Sequence, residues 1–371
     1  MHAPTVFSAM ALLLALAAPA AVDAASPASG APPGWIVFSR AQLNADGTQR
    51  SSSLWLATPA TAARRLTPLA DHEYNASGSW SPRGTRIAFQ HGSMAANGTD
   101  RFDIFSVDPL GHQLLQLTSG SGNFVTPAWG PGNRIALVSK YRHHDCLSIV
   151  EADGHHQHDL FCPPSPAEVA RPVWSADGRS IFIHAGYYTG SLEPFWRSLA
   201  YRVDARTGAP FVLTDRVLDE PRFLEFSPDG SRGIYSDVWT NAMQLIDFNT
   251  GRLKSLGRGY APRWSSNGSR IAFTREVFDF SQPQFHYYEP LFVMDADGSH
   301  VRRVTQSRID NHAYTAAQWS ADGVHVLVNR RVYLDPSLTI TRHSMRIVNV
   351  DTRVVTPVAD GYAEPGAWFE R

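Results

Sequence analysis

A tryptophan or phenylalanine closes a short apolar strand seven times along this chain, at Trp80, Trp129, Trp174, Phe226, Trp264, Trp319 and Trp368, with 38 to 55 residues between successive copies. Most copies run straight into a Ser-x-Asp-Gly or Ser-x-Asn-Gly turn. An interval of about 40 to 50 residues is the length of one four-stranded propeller blade. In Ser227-Pro228-Asp229-Gly230 the proline presets φ at the second turn position and the glycine takes the last, which suits a type I turn. A β-rich run follows each turn, as in Ile87-Ala88-Phe89 and Ile271-Ala272-Phe273. A third strand then ends in an acidic turn (Leu291 to Asp295), and a fourth closes the unit (Val301 to Thr305).

The two ends of the chain set the blade count. Trp35-Ile36-Val37-Phe38 reads as a second strand with no aromatic turn before it, and Glu364 to Phe369 reads as a first strand with nothing after it. Joined, they complete a composite blade and remove two sheet edges that would invite aggregation. Six internal units plus this one predict an all-β, seven-bladed β-propeller closed by pairing of the N- and C-terminal strands. A six-bladed ring, with one degenerate copy packed as a loop, is the alternative. The repeat makes residues 34–371 one domain, although a chain of 371 residues by itself would suit two or more domains of ~150 residues.

Residues 1–24 read as a signal peptide, with an Ala- and Leu-rich run from Met10 to Val22 and small residues for cleavage at Ala24, followed by a flexible spacer at 25–33. The leader departs from the usual pattern in carrying His2 but no lysine or arginine. Export to the periplasm or outside the cell is the expectation, with no stable membrane anchor. The cysteines agree with it: Cys146 and Cys162 each lie eight residues from Gly154, so an antiparallel hairpin centred there sets them face to face. A cross-strand disulfide follows if that register holds, and two separately buried thiols otherwise. Net charge is −1 and no basic run is present, which leaves no source for the counterion-release attraction to nucleic acid.

The Trp-Ser-Pro-Asp-Gly type of turn, the Ile-Ala-Phe strand, the Val293 to Gly298 turn and the following Arg302-Arg303-Val304-Thr305 resemble the WD-like repeat of the TolB-like β-propellers. The resemblance covers essentially the whole mature chain and implies the fold. TolB itself resembles a six-bladed ring preceded by a separate N-terminal domain, for which this chain has no room, so a TolB-like relative is expected. Related propellers gate prolyl oligopeptidase-like hydrolases, but the Gly-x-Ser-x-Gly nucleophile elbow of those enzymes is missing from this sequence. Oligogalacturonate lyase-like propellers, with metal-binding histidines inside the ring, are the enzymatic relatives that blade number leaves open.

Two sets of candidate site residues follow. The Asp-Gly turns should fill one face of the ring, leaving the irregular loops, and with them function, on the other. The first set is aromatic: Tyr187, Tyr188, Phe195, Trp196, Phe278, Phe280, Tyr287, Tyr288 and Tyr314, suited to a protein hot spot or a sugar platform, unless the loops fold back over their own rings. The second is His72, Glu73, Asp219, Asp310 and His312, near the axis, which as a catalytic set would act as acid and base or hold a metal. Solvated loop residues are the plainer account of that set. His143 and His144 lie at the opposite end of a hairpin from His155, His156 and His158, so the two groups should not form one site. The expected function is a monomeric, non-enzymatic scaffold without cofactor or metal that binds a periplasmic or cell-envelope protein, with a glycan as a possible ligand. The alternative is a glycan-active lyase or hydrolase working through the second set.

Overall fold

The computed structural model describes residues 34–369 except 44–48, 59–60, 69–71, 94–100, 165, 189–195, 215–217, 220, 238–239, 280–285, 306–311, 334–340 and 362. It is all-β, with seven sheets of four or more strands and one small two-stranded hairpin. Numbered from the N-terminus, blade 1 is the composite: Trp35–Leu43, Gln49–Thr58 and Thr61–Arg65 are joined by Ala363–Phe369, which pairs antiparallel with the first of them. Blades 2 to 7 take their innermost strands from the segments that end at Trp80, Trp129, Trp174, Phe226, Trp264 and Trp319. Among the described residues no helix is long and apolar enough to cross a membrane.

Each Ser-x-Asp-Gly turn is built as its sequence requires. The glycine N–H donates to the serine carbonyl, as in Gly230 to Ser227 at 2.8 Å and, in the Ser-x-Asn-Gly variant, Gly268 to Ser265 at 2.8 Å. Gly230 has φ +68°, a left-handed conformation in which a side chain would also strike the Phe182 ring of the neighbouring blade. The Ser227 hydroxyl accepts the Arg232 N–H at 2.9 Å, and the Asp229 carboxylate accepts from Ser231 N–H and from the Ser227 hydroxyl. The side chains thus satisfy turn donors that the ladder leaves open.

The repeated tryptophan links blades as well as filling space. Trp80 donates its indole N–H to the carbonyl of Ala367 at 3.0 Å, Trp174 to Ala128 at 2.9 Å, Trp264 to Glu225 at 3.3 Å and Trp319 to Arg263 at 3.0 Å. In every case the acceptor is the residue just before the aromatic of the preceding blade. Phe226 has no such donor, and stacks on Phe182 instead, with ring centroids 5.4 Å apart. Arginines that open second strands reach forward on the same face: Arg134 donates to the Ala205 carbonyl and Arg232 to Ala296, and each guanidinium lies over the next blade's tryptophan. The apolar core is consequently divided into clusters seated between adjacent blades, such as Val37, Leu56, Trp80, Phe89 and Phe369 between blades 1 and 2.

Candidate functional site

On the face opposite the turns, the second and third strands of several blades extend into hairpins longer than the tight turn of blade 3. Ser180–Tyr188 pairs with Trp196–Asp204 in blade 4, and Val277–Asp279 with His286–Tyr288 beside blade 6. His325–Tyr333 pairs with Thr341–Asn349 in blade 7, and Trp35–Leu43 with Gln49–Thr58 in blade 1. Register places aromatics opposite one another at two hairpin ends, Tyr188 facing Trp196 and Phe278 facing Tyr287. The blade 6 hairpin is tied to the next blade by backbone: Glu289 N–H donates to the His312 carbonyl at 2.9 Å, and Tyr314 N–H to Glu289 at 2.8 Å.

The aromatic candidates divide between surface and packing. Tyr288 and Tyr314 are buried, Tyr288 beneath the Arg303 guanidinium. Tyr187 is half-buried and its hydroxyl lies 2.8 Å from that of Tyr201, with burial raising its pKa above the ordinary value. Tyr188, Trp196, Phe278 and Tyr287 are placed by their strands alone, and Phe195 and Phe280 fall outside the described residues.

Glu73, Asp219 and His312 each stand seven residues before a repeat aromatic, but the structure does not keep them equivalent: Glu73 and His312 open the innermost strands of blades 2 and 7, whereas Leu218–Asp219 pairs with the third strand of blade 4, Asp219 opposite Arg197. His72 is exposed with φ +63°, His312 is buried, and Asp310 lies outside the described residues. The His312 ring is met by the Arg330 guanidinium, with Nη2 3.3 Å from Nδ1. Among the described residues, the one set of three metal-ligating side chains within 4.8 Å of one another is His144, Cys146 and Cys162. Cys146 and Cys162 form a disulfide, with Leu147 opposite Phe161 setting the register.

A charged cluster that sequence reading passed over joins Glu225 and Arg263, on the innermost strands of blades 5 and 6, to Arg171, between the short strands Glu168–Val169 and Val173–Trp174 of blade 4. Arg263 Nη1 donates to Glu225 Oε2 at 3.0 Å, and Arg171 acts on the same carboxylate electrostatically. Burial pushes the Glu225 carboxyl up while the two guanidiniums pull it back. Burial also brings Arg171 down to about 9, and brings His184, on the adjoining strand, down to about 4. His184 is therefore a neutral ring near pH 7, and the cluster of two guanidiniums and one carboxylate carries net positive charge. Its signal was present in the repeat: the residue before the aromatic is Ser79, Ala128, Val173, Gln318 or Ala367 elsewhere, but Glu225 and Arg263 in consecutive copies.

No protein-family model and no curated protein matches the sequence. Solved structures do. An oligogalacturonate lyase in complex with manganese is similar over 89% of this chain and 86% of its own, at 16% identity and a TM-score of 0.58. The β-propeller domain of the Trilobed protease from Pyrococcus furiosus, described as having an open velcro topology, is similar over 90% and 94%, at 11% identity and a TM-score of 0.57. What they share with this chain is the β-propeller fold. TolB from Acinetobacter baumannii also matches, over 90% and 82% at 17% identity, with a TM-score of 0.49. In this propeller the C-terminal strand Ala363–Phe369 pairs with the N-terminal strand Trp35–Leu43.

Proposed function

We propose that this propeller is an exported, non-enzymatic scaffold that binds a protein of the periplasm or cell envelope through its loop-rich face. The observation that carries the reading is the pair of aromatic-tipped hairpins on blades 4 and 6, one of them anchored to the neighbouring blade by backbone bonds. Aromatic residues on paired strands above a rigid ring supply large contact area with few rotatable bonds to fix, which suits a binding hot spot. Catalysis by the axial set is less well supported, because the Arg330 guanidinium lies against the His312 ring. The Cys146–Cys162 disulfide supports an oxidising compartment.

A photo-crosslinking residue placed at Trp196 or Tyr287 in the native cell envelope, followed by mass spectrometry, tests the reading. A single dominant protein adduct is expected. Absence of an adduct from either position, in exported and folded protein, overturns protein binding; turnover of an acidic glycan that is lost in the Glu73→Gln and His312→Ala variants would establish the enzymatic reading in its place.

A further inference from the structure

We propose that opening the Cys146–Cys162 disulfide creates a three-ligand site for a thiophilic metal ion of the zinc class, formed by the two cysteine sulfurs and the His144 imidazole. A ring nitrogen of His144 and both sulfurs already lie within 4.8 Å of one another. Tetrahedral zinc holds sulfur at ~2.3 Å and imidazole nitrogen at ~2.0 Å, so its ligand atoms stand about 3.5 to 3.8 Å apart. Once the bond opens, the sulfurs need to part and the imidazole to close in by roughly an ångström or two, within the reach of side-chain rotation.

The backbone brings the three together for separate reasons. A tight turn, closed by the Tyr141 N–H donating to the His144 carbonyl at 2.9 Å, ends immediately before the strand Asp145–Glu151. His144 and Cys146 are two residues apart, so strand alternation puts them on one side, and the pairing of Leu147 with Phe161 sets Cys162 across from Cys146. The strand that holds Cys146 also pairs along its whole length with Arg134–Lys140, from Asp145 opposite Lys140 to Glu151 opposite Arg134. That pairing does not depend on the disulfide and keeps His144 and Cys146 in place after reduction, while the ladder of Leu147 with Phe161 and Ser148 with Asp159 holds the strand that leads to Cys162. His158 pairs further along the strand, opposite Ile149, which keeps the other histidine group away from this site.

The two sulfurs differ in access, which orders the chemistry. Cys146 is fully buried and Cys162 is exposed. A thiolate of a dithiol reductant attacks the Cys162 sulfur, forms a mixed disulfide there and expels Cys146 as the thiolate. The second thiol of the reductant then attacks its own sulfur in the mixed disulfide, leaves as a cyclic disulfide and releases Cys162. The protein gains two electrons, the reductant loses two, and the thiol protons pass to solvent as the thiolates take the metal. With the disulfide closed, the sulfurs have no such charge to offer. The fourth coordination position is left for water or a partner's side chain.

Cadmium ion alone is the probe. The full chain, oxidised or reduced with a non-chelating phosphine, is titrated and followed by thiolate-to-cadmium absorption in the near ultraviolet, by calorimetry and by circular dichroism. One equivalent binding the reduced chain, none binding the oxidised chain, and affinity weakened at least about tenfold in His144→Ala are expected, since that variant keeps both thiolates and loses one of three ligands. Reduced, folded protein that binds no stoichiometric cadmium overturns the proposal. Equal affinity in His144→Ala, equal binding by the oxidised chain, or loss of the sheet spectrum on reduction would do so too.

Discussion

Replacing Trp319 separates the two jobs assigned to the repeat aromatic. This side chain is 2% exposed and its indole N–H donates to the Arg263 carbonyl of the preceding blade at 3.0 Å. It packs in a cluster with Ala272, Val293, Tyr314, Val326 and Val348, drawn from blades 6 and 7. Trp319→Phe keeps most of the apolar burial, and blade 5 already uses Phe226 at the same position. What it removes is one inter-blade hydrogen bond, leaving a buried carbonyl without that donor, for a cost of about 1 to 3 kcal/mol. Trp319→Ala also opens a cavity between blades and should cost about 3 to 5 kcal/mol. Equilibrium unfolding in urea, followed by circular dichroism and by intrinsic fluorescence, measures both from the shift in midpoint at unchanged slope. If phenylalanine is as costly as alanine, shape rather than the indole bond governs the site. If phenylalanine costs nothing, the indole bond contributes nothing, and the repeated tryptophan does not link the blades.

Three further outcomes are expected. Cys146→Ser with Cys162→Ser should lower stability by about 3 kcal/mol at most, as chain-entropy estimates give for so short a closed loop, and melting with and without reductant would then coincide in the variant; an unchanged melting temperature would contradict a stabilising bond. Glu225→Gln leaves Arg171 and Arg263 facing each other without a carboxylate and should destabilise by about 2 to 4 kcal/mol, less than a fully buried pair because Glu225 retains some exposure; a neutral result in denaturant unfolding would show that water screens the cluster. The Arg179 N–H and the Ser175 hydroxyl hold the Asp177 carboxyl below its ordinary value. Its contribution is then present above the unfolded-state pKa of ~3.9 and lost as pH falls through the folded one, so the stability gap between wild type and Asp177→Ala should narrow as pH drops below about 4; a gap that widens there would refute the sign.

The fold was legible because every blade states it again. Each aromatic, turn serine and turn glycine contributes a local constraint, and the composite blade could be read from an unpaired second strand at Trp35 and an unpaired first strand at Trp368. The Cys146–Cys162 pairing was legible for a related reason: one hairpin centre fixes a register. The site was far less so, since it depends on how seven different loops meet. Residue spacing suggested equivalent positions for Glu73, Asp219 and His312, but spacing does not show which strand a segment joins, and Leu218–Asp219 pairs with the third strand of blade 4. Nor could spacing anticipate that Arg330, on the neighbouring strand, would claim the His312 ring. His144 looked like half of a histidine pair, and strand alternation joined it to the cysteines.

The two faces of the ring are under opposite constraints, and this is the physical ground for seeking a partner on one of them. On the turn face, Arg270 and Arg302 from blade 6 converge on Asp351 of blade 7 at 3.1 and 2.9 Å, and Arg134 and Arg232 tie their neighbours in the same sense. An insertion there would break bonds between blades. On the opposite face the second-to-third strand connection is a tight turn from Tyr141 to His144 in blade 3, and grows into long hairpins in blades 1, 4, 6 and 7. Among the described residues the loop face is therefore uneven, with a tight turn at blade 3 beside the longer paired strands of blade 4. Cys162 of blade 3 is exposed beside that tight turn, so on the proposed scaffold reading a partner seated over blade 4 would also cover the sulfur that a reductant must reach.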